Sequence, residues 1–391
     1  MRLIGQRALT LAGCLIVGLT VACSHPEAQP ARAWDKKAAA GYLDQREGWW
    51  MQWTGAARDH QTFCVSCHTA VPYALARPTL RSALGEATLS ANEQFLLDNV
   101  RKRVRLWKDI GPYYSGQGYD TNKNAESRGT ESVLNALILA SYDAQNGRLD
   151  NDTRAAFDHM WAMQQTTGED RGSWSWLQFD LEPWESNAAQ YYGVTLAAVA
   201  VGMAPENYRS RPEIQTNLNL LREYLDREYA AQSTINRVGL LWASVKLPGL
   251  IETQRRASII DEALSKQESD GGWRLSSVAW RGGSLFSLVR RWLRDDGTPL
   301  ESKSDGYATG MITLALQQAG LTRENAQLQR GLSWLVRSQN QPEGFWLSSS
   351  LNKRRSPSSD TGRFMSDAAT AYAVLALTET ASAGPGRVAA K

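Results

Sequence analysis

Three stretches of the chain repeat the same order of hydrophobic and polar segments. In each one a predicted helix ends near a glutamine, a glycine-rich turn brings a tryptophan, and a helix rich in small residues follows. The glutamine, glycine and tryptophan of the three stretches are Gln164, Gly172 and Trp174, then Gln267, Gly271 and Trp273, then Gln339, Gly344 and Trp346. Internal repeats of this kind predict one two-helix unit that is copied along the chain.

Weaker copies of the unit fill the intervals between these stretches. No segment has the sustained alternation of apolar and polar residues that is typical of strands. The sequence therefore predicts an all-α protein. Its helices form about six pairs, at residues 35–81, 92–144, 151–204, 214–248, 256–320 and 325–378. Several of the 15 tryptophans mark turns between paired helices, which accounts for a residue type that is otherwise unusually frequent.

Composition narrows the class of protein. The chain has 391 residues, of which 42% are hydrophobic, so a folded domain with a sizeable core is expected rather than a disordered chain. Its 43 Lys and Arg residues nearly balance 40 Asp and Glu, and a net charge of +3 gives no electrostatic reason to expect a nucleic-acid partner. Four cysteines are too few for a disulfide scaffold.

The N-terminus has the pattern of an export signal. Arg2 and Arg7 precede an apolar run at 8–21, which ends in small residues before Cys23. A signal peptide at 1–22 followed by Cys23 is similar to a bacterial lipoprotein signal, in which the cysteine is lipidated. The sequence thus predicts a periplasmic chain anchored to a membrane through Cys23, with a flexible tether at 23–34. An ordinary signal peptide, a retained anchor and a less favourable lipidation site at Cys14 are the alternatives.

Two further cysteines form the motif Cys64-Val65-Ser66-Cys67-His68. CxxCH is the attachment signature of c-type haem, in which two thiols bind the porphyrin and the histidine binds the iron. Covalent haem c at Cys64, Cys67 and His68 is therefore the first prediction. Zinc held by the same residues with His60 or an acidic residue is the second, and a disulfide is the third. A redox CxxC pair would need a βαβ setting that the chain lacks.

The glutamine–tryptophan turns resemble the QW-type repeats of squalene–hopene cyclases and of protein prenyltransferase β subunits. The resemblance covers nearly all of the predicted helical domain, 35–380, in pattern and not in close identity. It implies an (α/α)6 toroid, in which outer helices alternate with inner helices and the inner ring lines a central apolar cavity. A helical solenoid that does not close is the alternative. The tail at 381–391 is expected to be disordered.

The chemistry of those families is not carried over with the fold. Squalene–hopene cyclases use an Asp-x-Asp-Asp acid, and no such motif occurs; the nearest acidic pair is Asp295-Asp296. The zinc ligands of the prenyltransferases have no residue-by-residue match. Acidic or amide residues do recur near the predicted starts of inner helices, where we interpret them mainly as helix caps. They are Glu131, Asn187, Asp305 and Asp367.

Together these features predict an exported, lipid-anchored c-type haem protein on a toroid. It would transfer electrons to a redox partner or oxidise an apolar small molecule held in the cavity, which makes an oxidoreductase one possibility. The alternatives are a haem-free, zinc-dependent toroid enzyme acting on a lipid or a polymer, and a binding lipoprotein without catalysis. An acidic and aromatic loop at 179–185 is expected to rim the cavity, with no role assigned to it.

Overall fold

Outer and inner helices alternate along the chain, as the repeat predicts. The computed structural model describes residues 33–115, 121–280, 289–290 and 292–379. Within these ranges the six outer helices are α1 Lys36–Gln52, α3 Ala91–Arg105, α5 Asn151–Ala162, α7 Gln215–Glu228, α9 Thr253–Ser265 and α12 Ala326–Ser338. The six inner helices are α2 Ala70–Leu84, α4 Thr121–Asn146, α6 Ala189–Met203, α8 Thr234–Lys246, α11 Gly306–Gln318 and α13 Phe364–Thr378.

Short elements complete the described chain. Helix α10 covers Leu275–Val278, and 3-10 turns lie at Asp59–Gln61, Tyr208–Ser210, Pro212–Ile214, Tyr229–Ala231 and Thr361–Arg363. Strands β1 Ala57–Arg58 and β2 Thr62–Phe63 pair in an antiparallel hairpin just before α2. The class is therefore all-α, as predicted.

The inner helices form a closed ring. Each packs on the next in the order α2, α4, α6, α8, α11 and α13, and α13 packs back on α2. The outer helices pack outside their inner partners. This is an (α/α)6 toroid, so the fold prediction is confirmed, and an open solenoid is excluded by the contact between α13 and α2.

Close approach between inner helices explains their small residues. Helix α6 is buried on nearly all sides and carries alanine, glycine, valine and threonine over most of its length. At the contact of α11 with α13, a Cβ added to Gly310 would lie 2.7 Å from the backbone nitrogen of Ala373. Helices that touch neighbours on both sides need small residues at the contacts. A high content of small residues therefore indicates an inner helix.

The turn glutamines join one repeat to the next. Each donates hydrogen bonds from its side-chain nitrogen to the carbonyl of its own turn glycine and to a carbonyl at the start of the following outer helix. The pairs of acceptors are Gly172 and Asn217 for Gln164, Gly271 and Gln327 for Gln267, and Gly344 and Asp35 for Gln339. The turn tryptophans each donate to a carbonyl near the end of the preceding outer helix, at Met160, Ala263 and Leu335.

The last of these turns closes the ring. Gln339 donates to the Asp35 carbonyl at 2.9 Å and accepts from the Asp35 backbone N–H at 2.7 Å, which ties the last outer helix to the first. Gly344 has a φ of +84°, and a Cβ there would lie 2.2 Å from the carbonyl carbon of Ala38. Only glycine tolerates both the left-handed backbone and this contact. Closure is thus encoded by a glutamine and a glycine 304 or more residues from their partners.

Several predictions concern residues outside the described ranges. The signal peptide, Cys14, Cys23, most of the tether and the tail at 381–391 lie there, so these stay predictions. The described residues from Trp34 to Glu379 form one unit. None of the helices in the described ranges is long and apolar enough to cross a membrane.

Replacing the closing glutamine tests the link between turns and stability. We expect Gln339→Ala to lower the free energy of unfolding by about 2 kcal/mol, because buried backbone groups lose their hydrogen-bond partners. Gln329→Ala, at an exposed position of α12, the helix that Gln339 follows directly, is the matched control and should change it by less than about 0.5 kcal/mol. Denaturant unfolding followed by circular dichroism measures both. Equal effects of the two substitutions would contradict the role of Gln339.

Candidate functional site

The CxxCH segment lies immediately before the first inner helix. It follows β2 and leads into α2, which begins at Ala70, so the motif itself is extended chain and turn rather than helix. The Cys64 backbone is held on both sides, since its N–H donates to the Ala56 carbonyl and its carbonyl accepts from the Trp50 indole at 2.7 Å. Ser66 Oγ accepts from the backbone N–H of Thr69 and Ala70 and starts the helix.

Both thiols of the motif point into the core. Cys64 is 6% exposed and Cys67 is 3% exposed, and both are unbonded cysteines. Burial raises the pKa of the Cys64 thiol to about 12 and raises the pKa of the Cys67 thiol well above its ordinary value. Since the thiolate is the reactive form, these two cysteines act as small apolar side chains at neutral pH.

His68 lies in an aromatic box and stays half-buried. Its ring stacks on Phe364 with centroids 3.8 Å apart, and the ring of Trp50 meets it edge-on at 4.9 Å. The ring of Trp184 forms a third wall, with its centroid 6.1 Å from the centroid of the His68 ring. Burial lowers the pKa of His68 to about 3, and the positive charges of Arg46 and Arg355 act in the same direction. The imidazole is therefore neutral at physiological pH, so one of its two ring nitrogens is unprotonated and has a lone pair for a proton.

A chain of buried hydrogen bonds leads away from His68. Its Nδ1 lies 2.8 Å from Thr69 Oγ1, which in turn lies 2.7 Å from Asp367 Oδ2. Asp367 Oδ1 accepts from Tyr42 OH and from Arg46 Nε, each at 2.8 Å. Burial raises the pKa of Asp367 to about 6, although the guanidinium of Arg46 opposes that rise. These hydrogen bonds thus join α1, the start of α2 and α13.

The residues predicted as inner-helix caps divide into different roles. Asp305 caps α11 as predicted, accepting from the N–H of Tyr307 and Ala308. Asp367 is not a cap, because α13 begins three residues earlier at Phe364. Glu131 lies inside α4 in a buried ion pair with Arg103 at 2.6 Å, and Asn187 is exposed in a loop. These four residues therefore do not share one role.

The acidic and aromatic loop at 179–185 folds back beside His68. The N–H groups of Phe179 and Leu181 donate to the Glu185 carbonyl, and the Glu185 N–H donates to the Leu181 carbonyl. Asn352 fastens the loop to a second segment, since its side chain bonds both the N–H and the carbonyl of Glu182 at 3.1 and 2.9 Å. The sequence placed this loop at a cavity rim but assigned it no chemistry.

Glu185 and His68 face one pocket of about 120 Å³. Glu182, Arg355 and Phe364 are also in its lining. Burial raises the pKa of Glu185 to about 7, against a weaker opposing effect of Lys123. Burial therefore moves the pKa values of the histidine and the carboxylic acid in opposite directions, so that one pocket holds a neutral histidine and a carboxylic acid that is about half protonated at pH 7. Pairs of this kind are typical of acid–base catalytic sites.

A larger depression lies on the other side of the segment 347–357. It has a volume of about 440 Å³ and is lined by Arg274, Lys303 and Trp334 among other residues. Ser350, Asn352 and Arg355 of the same segment line the pocket at His68, whereas Leu347, Ser348, Ser349, Leu351 and Pro357 line the larger depression. The two concave surfaces are thus separated by one strip of chain.

The interior of the ring is filled at the level of three tyrosines. Tyr192 on α6 and Tyr372 on α13 come from opposite sides of the ring, and their hydroxyls lie 3.1 Å apart. Tyr307 packs edge-on against Tyr372 and accepts a hydrogen bond from the Trp184 indole at 3.1 Å. The central apolar cavity implied by the cyclase resemblance is therefore interrupted here by buried polar aromatic side chains.

The motif residues do not fit the cofactors predicted for them. A porphyrin would have to reach two thiols that lie within the core, and the pocket at His68 is smaller than the roughly 300–1,000 Å³ that drug-sized ligands occupy. Zinc would need three or four protein ligands. Across the described ranges, no three His, Cys, Asp or Glu side chains lie close enough together to hold a metal ion.

Comparison with known proteins supports the fold and no closer relationship. No family model and no curated protein sequence matches the chain. Among solved structures, a polysaccharide lyase superposes with a TM-score of 0.52 at 12% identity, over 88% of this chain and 96% of the lyase. A glycosidase variant in complex with glucose gives 0.47 at 13% identity, over 88% and 97% of the two chains. A possible member of the GH105 family from Salmonella enterica gives 0.46 at 12%, over 90% and 95%.

The predicted haem function is wrong. Electron transfer or haem-based oxidation at Cys64, Cys67 and His68 requires a cofactor for which the packing leaves no site. The fold is shared with a polysaccharide lyase. The prediction failed because the CxxCH motif identifies the residues but not their burial. Burial of the thiols depends on helices far away in the chain.

Spectroscopy tests this correction directly. We expect the mature chain, produced together with cytochrome c maturation machinery, to give no pyridine haemochrome spectrum, because both thiols are core side chains. The double variant Cys64→Ala, Cys67→Ala provides the matched background for the same measurement. A haemochrome spectrum that is present in the wild-type chain and absent from the double variant would contradict the packing described above.

Proposed function

We propose that this chain is a haem-free enzyme that cleaves a polysaccharide by transferring protons through His68 and Glu185. The observation that carries the proposal is the pocket shared by a neutral histidine and a carboxylic acid that still holds its proton up to about pH 7. General base and general acid groups with pKa values displaced in this way act together in many bond-cleaving enzymes. Neither role needs a metal or another cofactor.

The two groups have complementary tasks. Nε2 is the ring nitrogen of His68 that is left for a substrate, because Nδ1 is engaged by Thr69. In an elimination, Nε2 takes a proton from a sugar carbon, the bond from the neighbouring carbon to the glycosidic oxygen breaks as a double bond forms, and Glu185 protonates the departing oxygen. In a hydrolysis, Nε2 takes a proton from the attacking water instead. Both versions balance, with one proton accepted and one donated.

Surrounding residues suit a polymer better than a small apolar molecule. Arg355 adds a positive charge to the reaction pocket, which would stabilise negative charge that develops on the substrate. The larger depression beyond the segment 347–357 offers space for neighbouring sugar units of the same chain. The fold shared with a polysaccharide lyase agrees with this substrate class and by itself gives only the fold.

Export is a separate part of the proposal. We propose that the chain leaves the cytoplasm and is held at a membrane by a lipid on Cys23. The support is the sequence alone: a basic start, an apolar run at 8–21 and small residues before the cysteine. A periplasmic location would bring the enzyme to extracytoplasmic polysaccharides.

Cleavage assays with site variants test the acid–base pair. We expect the purified chain to release new chain ends from at least one member of a panel of neutral and acidic polysaccharides. Glu185→Gln and His68→Asn should each lower the rate about 10²- to 10⁴-fold, the usual contribution of a general acid or base. Glu213→Gln, an exposed position on a different segment, is the matched control and should keep wild-type activity. Ultraviolet absorbance of a new double bond distinguishes elimination from hydrolysis.

The pH dependence gives a second, independent expectation. Glu185 must be protonated to act as the acid, so activity should fall as the pH rises through about 7. His68 gains a proton only near pH 3, so it should cause no loss of activity between about pH 4 and 7. Absence of cleavage across the panel, or full activity in Glu185→Gln, would overturn the proposed function.

The lipid attachment has its own test. We expect Cys23→Ser to move the chain from the detergent phase to the aqueous phase in a Triton X-114 partition of whole cells, because the lipid is its membrane anchor. Cys14→Ser is the matched control and should leave the chain in the detergent phase. If Cys23→Ser still partitions into detergent, the attachment is not at Cys23.

A further inference from the structure

We propose that Asp367, acting through Thr69, determines which ring nitrogen of His68 carries the proton. Thr69 and Asp367 would then be positioning residues, which touch the base and not the substrate. The consequence for catalysis rests on the proposed function, whereas the protonation pattern of the histidine follows from hydrogen-bond geometry alone.

Asp367 determines which group donates in each of these hydrogen bonds. Its carboxylate is 1% exposed and pairs with the buried guanidinium of Arg46 at 2.8 Å. Tyr42 OH donates to the same oxygen. Above its pKa of about 6 this carboxyl group is ionised, so it accepts hydrogen bonds and has no proton to give. The Thr69 hydroxyl, 2.7 Å from the other oxygen, must therefore be the donor in that contact.

The hydroxyl then fixes the contact on its other side. A threonine hydroxyl has one proton and two lone pairs, and the proton is already directed at Asp367. Thr69 Oγ1 consequently presents a lone pair to His68 Nδ1 at 2.8 Å. Nδ1 must carry the proton, since two facing lone pairs at that distance would repel. A neutral imidazole has a single N–H, so Nε2 is left as the unprotonated nitrogen.

This pattern reverses the intrinsic preference of histidine, in which a free neutral imidazole mainly carries its proton on Nε2. The reversal depends on three helices. Asp367 belongs to α13, Tyr42 and Arg46 belong to α1, and Thr69 directly precedes α2. Ser66 Oγ holds the Thr69 backbone, which keeps the hydroxyl between its two partners. The contacts that close the ring thus also determine which nitrogen of His68 carries the proton.

Nitrogen-15 chemical shifts of the imidazole rings test the inference without a substrate. In the mature chain labelled at histidine and held at mildly alkaline pH, the His68 signals are assigned by their loss in His68→Asn. We expect a protonated Nδ1 and an unprotonated Nε2 in the wild-type chain. Thr69→Val, which keeps the shape and removes the hydroxyl, should shift the proton towards Nε2. Thr69→Ser should restore the wild-type pattern.

A second variant reverses the direction of the hydrogen bonds between residue 367, Thr69 and His68. The amide of Asp367→Asn can donate to Thr69 Oγ1, which frees the threonine proton for His68 Nδ1 and leaves the histidine proton on Nε2. A wild-type ring protonated on Nε2, or a Thr69→Val ring indistinguishable from wild type, would overturn the inference. Should Asp367→Asn fail to fold, the valine and serine pair decides the question alone.

Kinetics separate this inference from the proposed function. On a polysaccharide that the chain cleaves, we expect Thr69→Val to lower kcat about 10- to 1,000-fold with little change in KM, because binding is intact and the base carries its proton on the wrong nitrogen. Thr69→Ser should recover most of kcat. If the predicted nitrogen shifts occur and no polysaccharide is cleaved, the proposed function fails and the inference stands. If cleavage occurs and the shifts do not, the inference fails.

Discussion

The buried ion pair between Arg46 and Asp367 connects the architecture of this protein to its candidate site. It joins the first helix to the last across 321 residues, at a distance of 2.8 Å and almost without exposure to solvent. Removing one partner from a buried pair leaves an uncompensated charge and typically costs about 3–5 kcal/mol. The ring therefore needs both residues, and the same carboxylate provides the acceptor that orients Thr69 towards His68.

Desolvation shifts both members of the acid–base pair. The loop at 179–185 and the aromatic side chains of Trp50, Trp184 and Phe364 limit the access of water to the pocket. In such surroundings the uncharged form of every titratable group is favoured, so the histidine loses its proton more readily and the carboxylic acid keeps its proton longer. Between pH values of about 3 and 7 the pocket holds a base and an acid that are both neutral. No direct contact between the two groups is needed for that state.

The sequence predicted the fold far better than the site. Helix pairs could be placed because each unit repeats its own signals: a glutamine and a tryptophan at the turn, then small residues on the inner helix. The structure gives those signals a physical cause, since Gln339 bridges to Asp35 and Trp346 binds the carbonyl of Leu335. The site depends instead on contacts between distant segments. Asp367 was interpreted as a helix cap, and only the folded chain brings it to Thr69, 298 residues away.

The CxxCH motif misled for the same reason, because the burial that makes its thiols inert is produced by the surrounding helices. Its histidine is nevertheless the residue on which the proposed function depends. The most direct test is a crystal structure of Glu185→Gln with an oligosaccharide of a cleaved polymer. We expect a sugar unit in the pocket, with His68 Nε2 facing the reacting atom and residue 185 at the glycosidic oxygen. An oligosaccharide bound away from His68, with that pocket empty, would contradict it.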